Sequence, residues 1–307
     1  MSGAIAPADE APAALAPVGA RSLPGETGMV ERKRNRLLPF DPWHLFLFPL
    51  ALIMLLPMVW MVVTSLETPS QTLHFPPVLW PGTLRFGNYA TTIRQSAFGT
   101  WFWNTTLVTV AVVLSNLVFC SLAAYAFARI HFLGRGVVYF LLLATLMVPL
   151  QVVLIPTFLI VRDLGLIDRL GALIVPNLVN VFGIFMLTQF FSTLPMELEE
   201  AARIDGASRL SILVRIVIPL SLPALATLAV IQFMWTWNDF LWPLVTILTN
   251  QNAFTLQLGL ATFQGAHQTQ WHTVAAANIM SMLPVLVLFV AAQRFFVRGI
   301  ATQGLKG

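Results

Sequence analysis

The sequence predicts an all-α integral membrane protein with six membrane-spanning helices, and three observations carry that expectation. Apolar residues make up 57% of the 307 residues and charged residues only 10%, whereas a soluble domain is about half apolar and a quarter charged. Apolar runs of the roughly 20 residues needed to cross ~30 Å of hydrocarbon as a helix recur along the chain. Lys and Arg, finally, collect on alternate connections between those runs.

The elements follow in order. Residues 1–41 are rich in Ala and Pro, lack helical or strand periodicity, and are expected to form a disordered cytoplasmic tail. This tail ends in the basic run Arg32-Lys33-Arg34-Asn35-Arg36, and the apolar run after it lies too far from Met1 and is too long for a cleaved signal peptide. The remainder, 42–307, is expected to form a six-helix transmembrane domain. Its expected spans are His44 to Leu66, Thr105 to Ala128, Val137 to Val161, Ala172 to Thr193, a stretch within Ile216 to Leu248, and Thr273 to Gln293. The fifth exceeds one crossing, so its first turns are placed at the cytoplasmic surface with a break near Asn238 and Pro243. With the N-terminus inside, thirteen of the 17 basic residues fall on the cytoplasmic side; Arg85, Arg94, Arg162 and Arg169 stay outside. Both termini are therefore expected in the cytoplasm of a multi-pass cell-membrane protein. The basic residues serve as topology anchors, and no nucleic-acid partner is needed to explain the net charge of +4. Cys120 is the single cysteine, so an intramolecular disulfide is impossible.

The polar segment 195–219, between the fourth and fifth runs, is the strongest functional signal. Pro195 suits a first helical turn, and Glu197, Glu199 and Glu200 complement the dipole at a helix start. Ala201 and Ala202 are small enough for a partner surface to approach the backbone. Gly206 permits a chain reversal, and Ser208 is placed to cap a second helix running toward Arg215. A helix, a turn and a helix entering the membrane make a lever for a docked partner. Glu-Ala-Ala alone is common in ordinary helices; the full spacing Glu200-Ala201-Ala202, Gly206, Ile216, Pro219 is not.

That spacing resembles the EAA loop of ATP-binding-cassette (ABC) importer permeases, with Ile218 as the one departure, where the family usually has Leu. Trp235-Thr236-Trp237-Asn238-Asp239-Phe240-Leu241-Trp242-Pro243 and Gln293-Arg294-Phe295-Phe296-Val297-Arg298-Gly299 are similar to the carbohydrate-uptake branch. Phe86-Gly87-Asn88-Tyr89 and Ala124-Tyr125-Ala126-Phe127-Ala128-Arg129 fit the same branch. Within it the likeness is to the smaller permease of maltose-type and glycerol-phosphate-type importers.

The resemblance implies the type I importer permease fold and a set of partners: a second permease forming a heterodimer, two copies of an ABC ATPase, and an extracytoplasmic solute-binding protein. It implies that Glu200, Ala201, Ala202, Arg203, Asp205, Gly206, Ala207, Ile216 and Pro219 form the ATPase-docking surface. It further implies that the tail carrying Arg298, Gly299 and Lys306 reaches the ATPases. The chain has no Gly-x-x-x-x-Gly-Lys-Ser/Thr loop, so no cofactor is expected in it; ATP and Mg are assigned to the partner ATPase. The chain is expected to be a transport subunit and not an enzyme.

Polar residues inside the runs mark a candidate path, with Trp237, Asn238 and Asp239 as its possible substrate or gate residues and Trp235 and Trp242 as further aromatic faces. Asp239 is the only acid within the expected spans; a helix-break cap is the rival to a role for its charge. The five histidines have no metal-ligand spacing. An ion-coupled secondary transporter is the alternative class, but such folds place titratable groups at matching positions in two halves, and Asp239 has no mate. A second alternative keeps the ABC machine with a non-sugar cargo such as a glycerol phosphoester.

Overall fold

The computed structural model describes residues 43–74, 76, 80–263 and 270–303, with the backbone alone for residue 95 and residues 294–303. The tail 1–41 and Lys306 lie outside the described residues, and Arg298 and Gly299 are described by their backbone alone. Two compact units are distinguished, residues 1–53 and 54–307, and apart from the first half of α1 the elements below belong to the second.

Every regular element among the described residues is helical. After α1 (Trp43–Ser65) come the short α2 (Pro69–Thr72) and α3 (Gly87–Gln95). The organising element is α4 (Phe98–Arg129), whose 32 residues extend about 48 Å and begin well before the expected Thr105. The 105–128 window contains the apolar run, but the first turns of α4 are semipolar and amphipathic, which hydropathy alone does not register.

The third expected span is not one helix. The segments α5 (Arg135–Ala144), with a 3₁₀ turn to Met147, and α6 (Leu150–Asp163) meet at an angle of 105°. Pro149 lacks a backbone donor and pushes Val148 into an extended conformation, so the helical ladder stops there. The fourth run divides into α7 (Gly171–Ile174), a 3₁₀ turn over Val175–Asn177, and α8 (Val181–Ser192), which Asn180 N-caps by accepting from the Phe182 amide.

Next come α9 (Glu197–Ile204), α10 (Arg209–Ile212), a π-helical turn over Leu213–Val217 and α11 (Ile218–Leu220). The chain bends by 81° at Ser221 into α12 (Leu222–Trp237). It breaks again at Asn238–Phe240, where the sequence placed a break, before α13 (Leu241–Thr246). α14 (Leu256–Thr262) and α15 (Trp271–Gln303) complete the order. Among the described residues, four helical stretches are long and apolar enough to cross a membrane singly, and the two bent pairs bring the number to as many as six.

The core is built where α8 and α12 pack against α4. Cys120, Ala124, Leu187, Phe191 and Leu228 are buried there. Gly183 allows a close approach at this crossing: a Cβ would stand 3.0 Å from both Cys120 Sγ and Leu228 Cδ1, so those side chains would have to give way. Gly259 on α14 is tighter still, since a Cβ would overlap the indole of Trp101 on α4.

Asp168 clamps the connection after α6 to the loop after α13. Its backbone is left-handed (φ 59°), and its amide donates to the Thr246 carbonyl at 3.0 Å. The carboxylate accepts from the amides of Leu248 (2.6 Å), Thr249 (2.8 Å) and Asn250 (3.2 Å) and from the Thr249 hydroxyl (2.8 Å). These donors hold its pKa down to about 2. Because the folded value is depressed, the clamp is at full strength above the ordinary carboxylate value of 3.8 and is lost as pH falls from there through about 2. In Asp168→Ala, amide exchange at Leu248, Thr249 and Asn250 is expected to accelerate at pH 7; unchanged protection of these amides would count against the clamp.

Candidate functional site

Two features of this fold stand apart from its packing: an exposed helical loop and a polar cavity where helices break.

The loop begins at α9. Its first turn carries Glu197, Glu199 and Glu200, with Met196 at the N-cap and Pro195 before it, so the proline precedes the first turn instead of occupying it. The helix ends in a Schellman arrangement: the Ala207 amide donates to the Ala202 carbonyl at 2.9 Å and the Gly206 amide to the Arg203 carbonyl at 3.0 Å. That closure needs a left-handed residue, and Gly206 supplies φ 79°. Ser208 N-caps α10, accepting from the Ser211 amide.

The outward face of the loop is apolar at several points although the loop itself is polar. Ile204 is 88% exposed and Leu210 61%, with Leu198, Glu200, Ala201, Arg203, Asp205 and Gly206 also exposed around them. Ala202, Ala207 and Ile216 are half-buried against the α4–α8–α12 core, and Pro219 is exposed beyond them.

The inward face is held by charge. Glu199, 1% exposed, pairs through Oε1 with Arg129 Nε at 2.9 Å, while its Oε2 accepts from the Tyr125 hydroxyl at 3.1 Å and lies 3.8 Å from Arg203. Arg129 also donates to the Phe191 and Leu194 carbonyls, at 2.6 and 2.7 Å. One guanidinium thus closes the C-terminal end of α8, terminates α4 and grips α9. Sequence reasoning counted Arg129 as a topology anchor and Glu199 as a dipole partner, and so missed the pair. The spacing of Tyr125 and Arg129, four residues apart on one helix face, was the available signal; their acidic partner seventy residues on was not.

The cavity, about 280 Å³, lies where three interruptions converge: Pro149 before α6, the turn before α8, and the break after α12. Irregular backbone at membrane depth survives only where protein or a wet cavity satisfies it. Asn177, Asn180, Gln232, Trp235, Thr236 and Asp239 line the space. A hydrogen-bonded ladder runs through it, from Asn116 Nδ2 to the Asn177 carbonyl (2.7 Å), from Asn180 Nδ2 to Gln232 Oε1 (3.3 Å), and from Gln232 Nε2 to Thr236 Oγ1 (3.2 Å). Trp235 offers a half-exposed ring, edge-on to Phe182 at 5.5 Å.

The other sequence candidates lie elsewhere. Trp237 is buried, stacks on Phe233 and donates to the Ser281 carbonyl, so its ring belongs to the core and not to the cavity wall. Trp242 is buried too, donating to the Ala172 carbonyl. Asn238 is exposed and bonds back to Met234 of its own helix. Asn104 ties α4 to the carbonyls of Asn252 and Phe254. Asp239 does line the cavity, and its Oδ1 also accepts from the Trp242 amide, in the first turn of α13, at 3.3 Å.

Residues 116–302 match the family described as binding-protein-dependent transport system inner membrane component, a stretch that includes the loop and every residue lining the cavity except Val108. The chain belongs to this family. It is the membrane-spanning permease component of an ABC importer and carries no ATPase of its own. Permeases of this kind work with a second permease, ATPase subunits and an extracytoplasmic binding protein. The permease is 32% identical to the arabinooligosaccharides transport system permease protein AraQ of Halalkalibacterium halodurans, over 84% of this chain and 93% of that one. It is 34% identical to the sn-glycerol-3-phosphate transport system permease protein UgpE of Pectobacterium atrosepticum, over 84% of this chain and 94% of that one. Among solved structures, a bacterial ABC transporter involved in import of the acidic polysaccharide alginate contains a similar chain. Its TM-score is 0.75 at 26% identity, covering 84% of the permease and 99% of that chain.

Proposed function

We propose that this permease imports a sugar or sugar-like solute, with 195–219 as the loop that docks an ATPase and the polar cavity as part of the translocation path. The observation that carries the docking reading is Ile204, a large aliphatic side chain left 88% exposed on a charged loop that is fastened from behind by a buried ion pair. Exposed apolar groups on a rigid polar support are what a partner's cleft buries. Glu200, Ala201, Ala202, Arg203, Asp205, Gly206 and Ala207 frame that face, and Ile216 and Pro219 lead it into α12.

In this reading the two bent pairs each count as one crossing, giving six spans with both termini in the cytoplasm; the distribution of Lys and Arg supports that orientation. ATP and Mg belong to the ATPase. Closure of two ATPases would draw this loop and its counterpart on the second permease together, shifting the population toward an outward-open path. Arg298, Gly299 and Lys306 would extend the ATPase contact at the C-terminus. A sugar is favoured by the cavity's amides and hydroxyl beside the Trp235 ring, and by AraQ and the alginate importer among the similar proteins. UgpE keeps a glycerol phosphoester as the second cargo.

The test is a pull-down of tagged wild type and Gly206→Asp from native membranes, recording ATPase activity and co-purifying subunits. Wild type is expected to bring down an ATPase, a second permease and a binding protein, and the variant to lose the ATPase while keeping the second permease. A folded wild type that recruits no ATPase, or a variant that retains it, would refute the docking reading.

A further inference from the structure

A second pocket, of about 230 Å³, lies beside the C-terminal end of α1, well separated in sequence from the docking loop and sharing no residue with the polar cavity. Glu67, Trp60, Trp271 and Gln71 are among its lining residues. Glu67 is only 3% exposed, and among the described residues no hydrogen bond or ion pair engages its carboxylate, the ion pairs there involving Asp163 and Glu199. A buried carboxylate without partners is costly, and burial pushes its pKa upward.

The backbone beneath it is nevertheless firmly set. Asn88 Nδ2 donates to the carbonyls of Ser65 and Glu67, both at 2.8 Å, Tyr89 and Ser65 share a hydroxyl contact at 2.7 Å, and the Arg85 amide donates to the Leu66 carbonyl at 2.9 Å. Gln71 is itself engaged, accepting from the Thr68 amide in a capping box. The pocket is thus preorganised around an unused negative group. Its walls include two indoles, Trp60 38% and Trp271 50% exposed. Indole faces and a carboxylate are complementary to an ammonium or guanidinium group, and the carbonyl end of α1 adds negative potential. A neutral sugar would stack on the indoles but leave the charge uncompensated.

We propose that Glu67, Trp60 and Trp271 form an anchoring pocket for a single Lys or Arg side chain presented by the solute-binding protein. This rests on the importer reading and on the orientation above, which puts the end of α1 on the extracytoplasmic face. The pocket is sized for one side chain and sits apart from the path, so it recognises the carrier and not the cargo.

Two experiments test it on the complete importer in nanodiscs. In the first, Nα-acetyl-arginine amide is titrated and tryptophan fluorescence recorded, with methyl α-glucoside as the neutral probe. A saturable change with the arginine derivative that is lost in Glu67→Gln and in Trp60→Leu is expected. A response to the glucoside alone, or a response to arginine that survives both substitutions, would overturn the assignment. In the second, affinity is measured for the binding protein identified by the pull-down. Glu67→Gln is expected to weaken it by about thirtyfold or more, the usual consequence of removing one member of a buried charge pair, while the ATPase still co-purifies. Equal affinity in wild type and variant overturns this inference and leaves the importer reading intact. Failure of the wild type to bind any solute-binding protein overturns both.

Discussion

Replacing Arg129 with Met is expected to destabilise the permease by about 3–5 kcal/mol, the range found when one partner of a buried ion pair is removed. Glu199 would keep only the Tyr125 hydroxyl and the more distant Arg203, and the carbonyls of Phe191 and Leu194 would lose their donor. Glu199→Leu should cost less, because Arg129 retains those two carbonyls. The double variant Arg129→Met, Glu199→Leu should be more stable than the sum of the single losses predicts, since neither charge is left buried alone. Thermal unfolding of the purified complex measures all three. The functional readout is separate: the double variant is expected to hydrolyse ATP without matching transport, because α9 is no longer fastened to α4. Additive losses, or full coupling in the double variant, would remove the ion pair as the link between the proposed docking loop and the spans.

The second large effect is expected at the break after α12. Asp239→Ala should lower transport by about tenfold, because the Trp242 amide in the first turn of α13 loses its acceptor. Loss of such a hydrogen bond costs about 1 kcal/mol, and here it also loosens a cavity wall. Asp239→Asn keeps an acceptor oxygen at the same place and should retain most transport. Uptake measured in vesicles with matched amounts of assembled importer separates the cases. If Asn is as damaging as Ala, the charge itself acts on the cargo or the gate, and the hydrogen-bond account is insufficient.

Much of this protein was legible from its residues because the membrane leaves few choices. Apolar runs must become helices when there is no water to satisfy the backbone, and the loop 195–219 announced itself by Gly206, whose backbone is left-handed in the structure. The break near Asn238 was legible for the same reason: polar residues and a proline interrupt an apolar run. The bend at Pro149 was not drawn, because a hydropathy window averages over a single proline. The candidate path residues were only half sorted. The sequence put Trp237 forward and held Trp235 and Trp242 as further faces, and only packing shows that Trp235 borders the cavity while the other two fill cores.

What the sequence determined by itself was therefore local: helical class, the approximate spans, the loop between the fourth and fifth runs, and the absence of a phosphate-binding motif. The tertiary structure decided which polar groups meet. Arg129 and Glu199 stand seventy residues apart, and nothing local to either distinguishes a buried pair from two surface charges. Their pairing follows from α8 and α12 packing on α4, which brings α9 beneath the end of that helix. Inside a low-dielectric core such a meeting fixes position strongly, whereas the same two charges in water would contribute little.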